Sequence, residues 1–140
     1  MGNRTRAVLE TGEAPRPRFV ARFESGAALP LSGRSGPEAA SPVEVVLAAL
    51  AGCTGLDVIS ILRKKRQDVT SYEVAVEGER CTEHPRVYTR IEIVHHLRGR
   101  DLSEVAVAEA IRLSDTKYCS VHAMLAAGTE ITSRFEILPA

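Results

Sequence analysis

Tryptophan is absent from this chain of 140 residues, and aromatic residues make up only 4% of it. A core without large rings has to be aliphatic, and the 44% hydrophobic content supplies Val, Ile, Leu and Ala for it. Net charge is lacking too, because 18 basic residues balance 18 acidic ones. That balance argues against a nucleic-acid or membrane-surface partner. No uncharged apolar run approaches the roughly 20 residues of a membrane span. The opening stretch 1-MGNRTRAVLETGEAPRPR-18 has no signal-peptide h-region, so a cytoplasmic protein is expected. Cysteine is scarce: three residues, an odd number, at spacings unlike a secreted disulfide framework. In a reducing compartment a cysteine pair is more often catalytic than structural.

What is present reads as one domain of α+β type over residues 17–140, after a polar, flexible segment 1–16. The run 17-RPRFVARF-24 reads as a strand, turned at 25-SG-26 into a second strand, 27-AALPLS-32. Ser41, Pro42 and Glu44 form a capping box that opens a long helix running to Lys65 or Arg66. From Val43 to Leu50 this helix is apolar almost all round. It should therefore be buried on more than one side, and a second copy of the chain is the natural cover. Two alternating runs, 71–80 and 87–97, read as a hairpin, with Ile91, Ile93 and His95 on one face. Two helical segments follow, roughly 102–114 (capped by Asp101 or Ser103) and 121–128, with a break at 114–120. The alternating strand 130–137 ends the pattern. Antiparallel strands with the helices gathered on one face are expected.

The cysteines are the chemical candidates. Cys53 lies inside the long helix between Gly52 and Gly55. Each glycine costs about 1 kcal/mol relative to Ala in a helix interior. Either the glycines are packing notches beside a small core cysteine, or something must approach a reacting thiol closely. Cys119 stands before the third helix, where free backbone N–H groups and Lys117 would lower a thiol pKa; His122 lies three residues on. Cys81 and His84 have the spacing that can begin a zinc site, with His95 and His96 as further candidates. Adjacent strand residues point to opposite faces, so both histidines cannot easily join, and no metal is expected there.

The segments 41-SPVEVVLAALAGCTGLDVISIL-62 and 117-KYCSVHAMLAAGTEI-131, with 99-GRDLSEVAVAEAI-111 and 130-EITSRFEI-137, resemble the OsmC/Ohr family of osmotically inducible and organic hydroperoxide resistance proteins. The resemblance covers roughly residues 17–138. It implies an OsmC-like fold, an antiparallel sheet on a long central helix in an intertwined homodimer. It also implies a thiol-dependent peroxidase without a bound cofactor. Cys53 would reduce an organic hydroperoxide and become a sulfenic acid, Cys119 would condense with it to a disulfide, and an external thiol, such as a dihydrolipoyl group, would reduce that disulfide.

Family peroxidases add an arginine from an N-terminal loop and a glutamate near the start of the central helix. Here the arginine candidates are Arg34 and Arg22. The glutamate is shifted: Val43 directly follows the proline and Glu44 comes next. At about 100° per residue Glu44 faces away from Cys53, so a capping role competes with a catalytic one. Asp57, one turn after Cys53, can hold an arginine instead; alone, it would raise the thiol pKa. The competing function is a non-enzymatic ligand-binding or redox-sensing dimer of the same fold.

Overall fold

The computed structural model describes residues 1–10 and 17–140. They form two compact units, Met1–Val46 and Leu47–Ala140. The N-terminal unit holds an antiparallel three-stranded sheet of β1 (Thr5–Leu9), β2 (Arg18–Phe23) and β3 (Ala28–Ser32), in that order. Val20 and Ala21 are its buried apolar residues. Gly26, at φ 93°, closes the β2–β3 turn, a conformation that costs glycine nothing sterically. β1 departs from the flexible segment expected for residues 1–16. The segment as a whole is polar, but Ala7, Val8 and Leu9 within it pair with Ala21, Val20 and Phe19 of β2, and that partner supplies the ladder. Residues 11–16 of that segment lie outside the described residues.

The long helix α1 (Pro42–Lys64) begins as its sequence indicates. Ser41 Oγ accepts from the Glu44 N–H at 3.2 Å, and Glu44 Oε2 accepts from the Ser41 N–H at 3.0 Å. These reciprocal bonds satisfy two helix-end donors. Arg63 and Lys64 in the last turn suit the negative end of the helix dipole.

In the C-terminal unit, β4 (Asp68–Arg80) and β5 (Tyr88–Arg100) form the expected antiparallel hairpin. Then follow α2 (Glu104–Leu113), a wide π-helical turn (Ser114–Tyr118), α3 (Ser120–Ala126) and β6 (Glu130–Leu138). β6 pairs with β5 in parallel, giving a mixed sheet β4-β5-β6 rather than an antiparallel one. The physical reason is the connection. The two helices return the chain to the end of the sheet where β5 began, as a parallel crossover requires. The break expected at 114–120 is a widened continuation of α2, with the Cys119 N–H bonded to the Ser114 carbonyl at 2.9 Å.

α1 buries Leu50, Thr54, Val58 and Leu62, every fourth residue, which is one helical face. Burial on more sides is not seen in the single chain: Ala48, Ala49, Gly52, Leu56 and Ser60 are exposed. By length and composition α1 is also apolar enough to cross a membrane. Its inner face packs into two apolar clusters. One gathers Val58, Leu62, Leu97, Val107, Ala110 and Ile111; the other gathers Leu50, Ile91, Ile93 and Cys119, with Cys53 against it. Gly55 is a packing notch, since a Cβ there would sit 3.3 Å from Val74 Cγ2.

Candidate active site

Between the two apolar clusters lie several polar side chains. Along α1 the inward positions run Leu50, Cys53, Thr54, Asp57, Val58, so the helical repeat inserts one polar turn between two apolar ones. Ser114 at the end of α2 meets this turn. Thr54 Oγ1 and Ser114 Oγ are 2.9 Å apart and both residues are fully buried; Ser114 Oγ donates to Asp57 Oδ2 at 3.1 Å. Ser114 has one hydroxyl proton, and a carboxylate can only accept, so the chain runs Thr54 to Ser114 to Asp57. Buried hydroxyls need such partners to offset lost hydration.

Cys119 reaches the same point from the other side. It is the N-cap of α3, and its Sγ accepts from the His122 N–H at 3.3 Å. The Cys53 and Cys119 sulfurs and an Asp57 carboxylate oxygen all lie within 4.8 Å of one another. All three cysteines are free thiols. Cys119 is only 3% exposed, and burial pushes its thiol pKa up. The His122 hydrogen bond opposes that rise, while Cys53 and Asp57 add to it. This corrects the lowered pKa expected at a helix start. Loss of hydration outweighs one backbone donor, and Lys117 stacks over Tyr118, 5.2 Å from the ring centroid, instead of pairing with the thiol. Asp57, which accepts from Ser114, makes the smallest contribution to the rise at Cys119.

Further polar groups stand around this centre; the sequence marks His122 and His95 among them, but not Asp115 or Ser133. Asp115 Oδ1 lies 3.8 Å from His122 Nε2, and burial raises the Asp115 carboxyl pKa. Ser133 Oγ is close enough to Asp115 to lower that pKa partly, although it has no hydrogen bond of good geometry. On the sheet, Tyr72 OH and His95 Nδ1 are 2.6 Å apart, with the rings stacked at 5.8 Å. His95 is fully buried, its Nε2 has no partner among the described residues, and burial pushes its pKa down to about 4. Burial also raises the Tyr72 pKa, with Asp115 and Asp57 adding to the effect. The signal for His95 was present in the sequence, because it shares its strand parity with Ile91, Ile93 and Leu97. Nothing local marked Ser114, or the bond that Thr54, next to Cys53, makes to it.

The remaining candidates stand on other elements. Arg34 belongs to the N-terminal unit and lines an apolar groove of about 580 Å³ with Phe19, Leu31 and Pro42. Arg22 is exposed on β2, opposite Arg6 and Ala28. Glu44 is bound at the helix start by Ser35 Oγ and the Ser41 N–H, and those bonds, Ser35 first, lower its pKa. Cys81 is exposed; His95 is engaged by Tyr72, and His96 Nδ1 lies 3.4 Å from Glu136. The Cys81-x-x-His84 pair therefore gathers no second set of ligands among the described residues.

Residues 35–134 match a family model described as OsmC-like protein. The chain is 45% identical over 122 residues to Protein YhfA of Escherichia coli strain K12, covering 87% of this chain and 91% of that relative. A solved structure of a hypothetical protein from Aquifex aeolicus VF5 superposes with a TM-score of 0.85 at 30% identity, covering 100% of this chain and 98% of that one. The organic hydroperoxide resistance protein OhrB of Bacillus subtilis is similar in fold alone, with a TM-score of 0.59 at 14% identity over 97% of this chain and 98% of its own.

Proposed function

The chain belongs to the OsmC-like family, and on that premise we propose that it is a thiol peroxidase that reduces organic hydroperoxides, with Cys53 as nucleophile and Cys119 as resolving thiol. The observation that carries this is the approach of two free thiols from different elements to within 4.8 Å. A disulfide needs about 2.05 Å between sulfurs, and side-chain rotation can supply the difference. The Cys53 thiolate attacks the distal peroxide oxygen, the O–O bond breaks, and the alkoxide leaves and takes a proton. Cys53 becomes a sulfenic acid. Cys119 then attacks that sulfur, the S–O bond breaks, and water leaves with the Cys119 proton. An external dithiol, of dihydrolipoyl type, returns two electrons and restores both thiols. The raised Cys119 pKa supports its resolving role, because a protonated thiol does not compete as first nucleophile.

The apolar cluster against Cys53 includes Leu47, Leu50, Val121 and Leu125, which favours a hydrophobic hydroperoxide over hydrogen peroxide. A homodimer belongs to the same proposal. The outer face of α1 is exposed in the single chain, with Leu56 72% exposed, and a second copy would cover it. Arg34 and Arg22 remain the guanidinium candidates. The contacts of Glu44 favour the capping role over the catalytic one.

The test is a steady-state assay with cumene hydroperoxide and a dihydrolipoyl reductant. Saturable turnover supports the proposal, and consumption no faster than buffer overturns it. A second reading, a redox-sensing or ligand-binding dimer, draws on the Cys119 thiol, whose pKa is raised first by burial and then by Cys53 and Asp57 beside it. Its signature is stoichiometric disulfide formation without turnover.

A further inference from the structure

Cys53, Asp57 and Cys119 form a set of donors that the peroxidase steps do not fully use. Asp57 has no part in either sulfur displacement, and as an anion it opposes both. Yet it is oriented, since Ser114 Oγ donates to Oδ2 at 3.1 Å and Thr54 stands behind Ser114 at 2.9 Å. Cys53 and Asp57 are four residues apart on one face of α1, and Cys119 comes from the N-cap of α3, so two helices hold the three donors. All three donor atoms lie within 4.8 Å of one another. In a tetrahedral zinc site, Zn–S bonds of about 2.3 Å place two sulfurs about 3.8 Å apart. A sulfur and a carboxylate oxygen in such a site stand about 3.5 Å apart, so closing the present set around a metal needs about 1.3 Å of side-chain movement at most.

We propose that the reduced protein binds one Zn²⁺ through Cys53, Asp57 and Cys119, with a solvent molecule in the fourth position. Two thiolates and a carboxylate suit zinc, a borderline-soft ion that takes both donor types; a cuprous ion would use the sulfurs and leave the carboxylate idle. The cation would offset the three negative charges that these donors carry once both thiols have given up their protons. Ser114 then acts as the outer partner that orients a ligating carboxylate. Binding releases two thiol protons. Peroxide oxidation of the loaded form transfers two electrons to the O–O bond, yields the alcohol and water with two protons taken up, forms the Cys53–Cys119 disulfide, and releases Zn²⁺. The metal site stands on the donors alone. Only its competition with peroxide rests on the proposed function.

The experiment is zinc titration of the reduced, metal-free protein against a chromophoric chelator, with Co²⁺ as a spectroscopic probe. The expected result is one equivalent bound and a thiolate-to-cobalt charge-transfer band. C53S and C119S should lose both. S114A, which removes an outer partner, should bind about 10- to 100-fold more weakly, and D57N, which removes a ligand, more weakly still with the band retained. Circular dichroism establishes that each variant is folded. C81S should bind as wild type. No zinc uptake by the reduced protein, or uptake lost in C81S and unaffected in D57N, overturns the site. Peroxide consumption by the metal-free protein is measured separately. Zinc binding without peroxide consumption overturns the peroxidase proposal and supports the metal site; consumption without zinc binding does the reverse.

Discussion

The chain contains the spacing Cys-x-x-His twice, at Cys81 to His84 and at Cys119 to His122, and the two copies behave differently. The first lies in an exposed connection between β4 and β5, where the Cys81 backbone N–H bonds to the Val87 carbonyl at 2.8 Å and the thiol faces solvent. The second forms the first turn of α3, where the His122 N–H donates to Cys119 Sγ and α1 brings Cys53 and Asp57 alongside. Identical local spacing thus gives a bystander thiol in one place and half of a dithiol in the other. What distinguishes them is the non-local packing of α1, which excludes water from one thiol and supplies it with a second sulfur.

The sharpest way to break this comparison is to remove the sulfur that α1 contributes. Cys53→Ser should drop peroxide consumption to the uncatalysed background, because a hydroxyl cannot replace the thiolate. Residual turnover in a coupled assay would mean that another thiol is the nucleophile. Cys119→Ser should retain one oxidation per subunit and then stall. Intact-mass spectrometry should show a sulfenic acid progressing to sulfinic acid at Cys53. Wild-type turnover in that variant would remove the resolving role.

The surroundings of the second motif also have a pH signature. His95 is neutral in the fold, with its pKa held at about 4 against 6.5 for an ordinary histidine. In that window the unfolded chain binds the extra proton. Stability should therefore fall as pH drops from about 6.5 to 4 and level off below, by roughly 3 kcal/mol in total. His95→Gln should flatten this slope in urea melts at pH 7 and pH 4.5. An unchanged slope would show that other groups carry the acid sensitivity. The smallest effect belongs to the first motif: Cys81→Ser should change stability by no more than about 0.5 kcal/mol and leave peroxide consumption as it was. A large loss there would erase the distinction between the two motifs.

The contrast also explains what could be read from residue order. The capping box at Ser41 and Glu44 and the alternation through β4 and β5 are local devices, and each was legible; the N-cap of α2 was narrowed to Asp101 or Ser103, and it is Ser103. The pairing of β1 with β2, the parallel approach of β6 to β5 and the widened turn at Ser114–Tyr118 depend on partners distant in sequence or on a shift in helical hydrogen bonding. For the site, the two cysteines stood out through the family motifs. The Thr54–Ser114–Asp57 chain did not, because its members are 57 and 60 residues apart. The direction of the Cys119 pKa shift was misjudged for a similar reason. The helix start is local, whereas the burial that overrides it comes from packing.

The most direct measurement treats the reduced protein with one equivalent of cumene hydroperoxide and maps the products by peptide mass spectrometry without reduction. The expected product is one peptide pair linked through Cys53 and Cys119, with Cys81 still free. A protein that ends with both thiols intact, or with Cys81 in the disulfide, would contradict the assignment of this pair as the reacting dithiol.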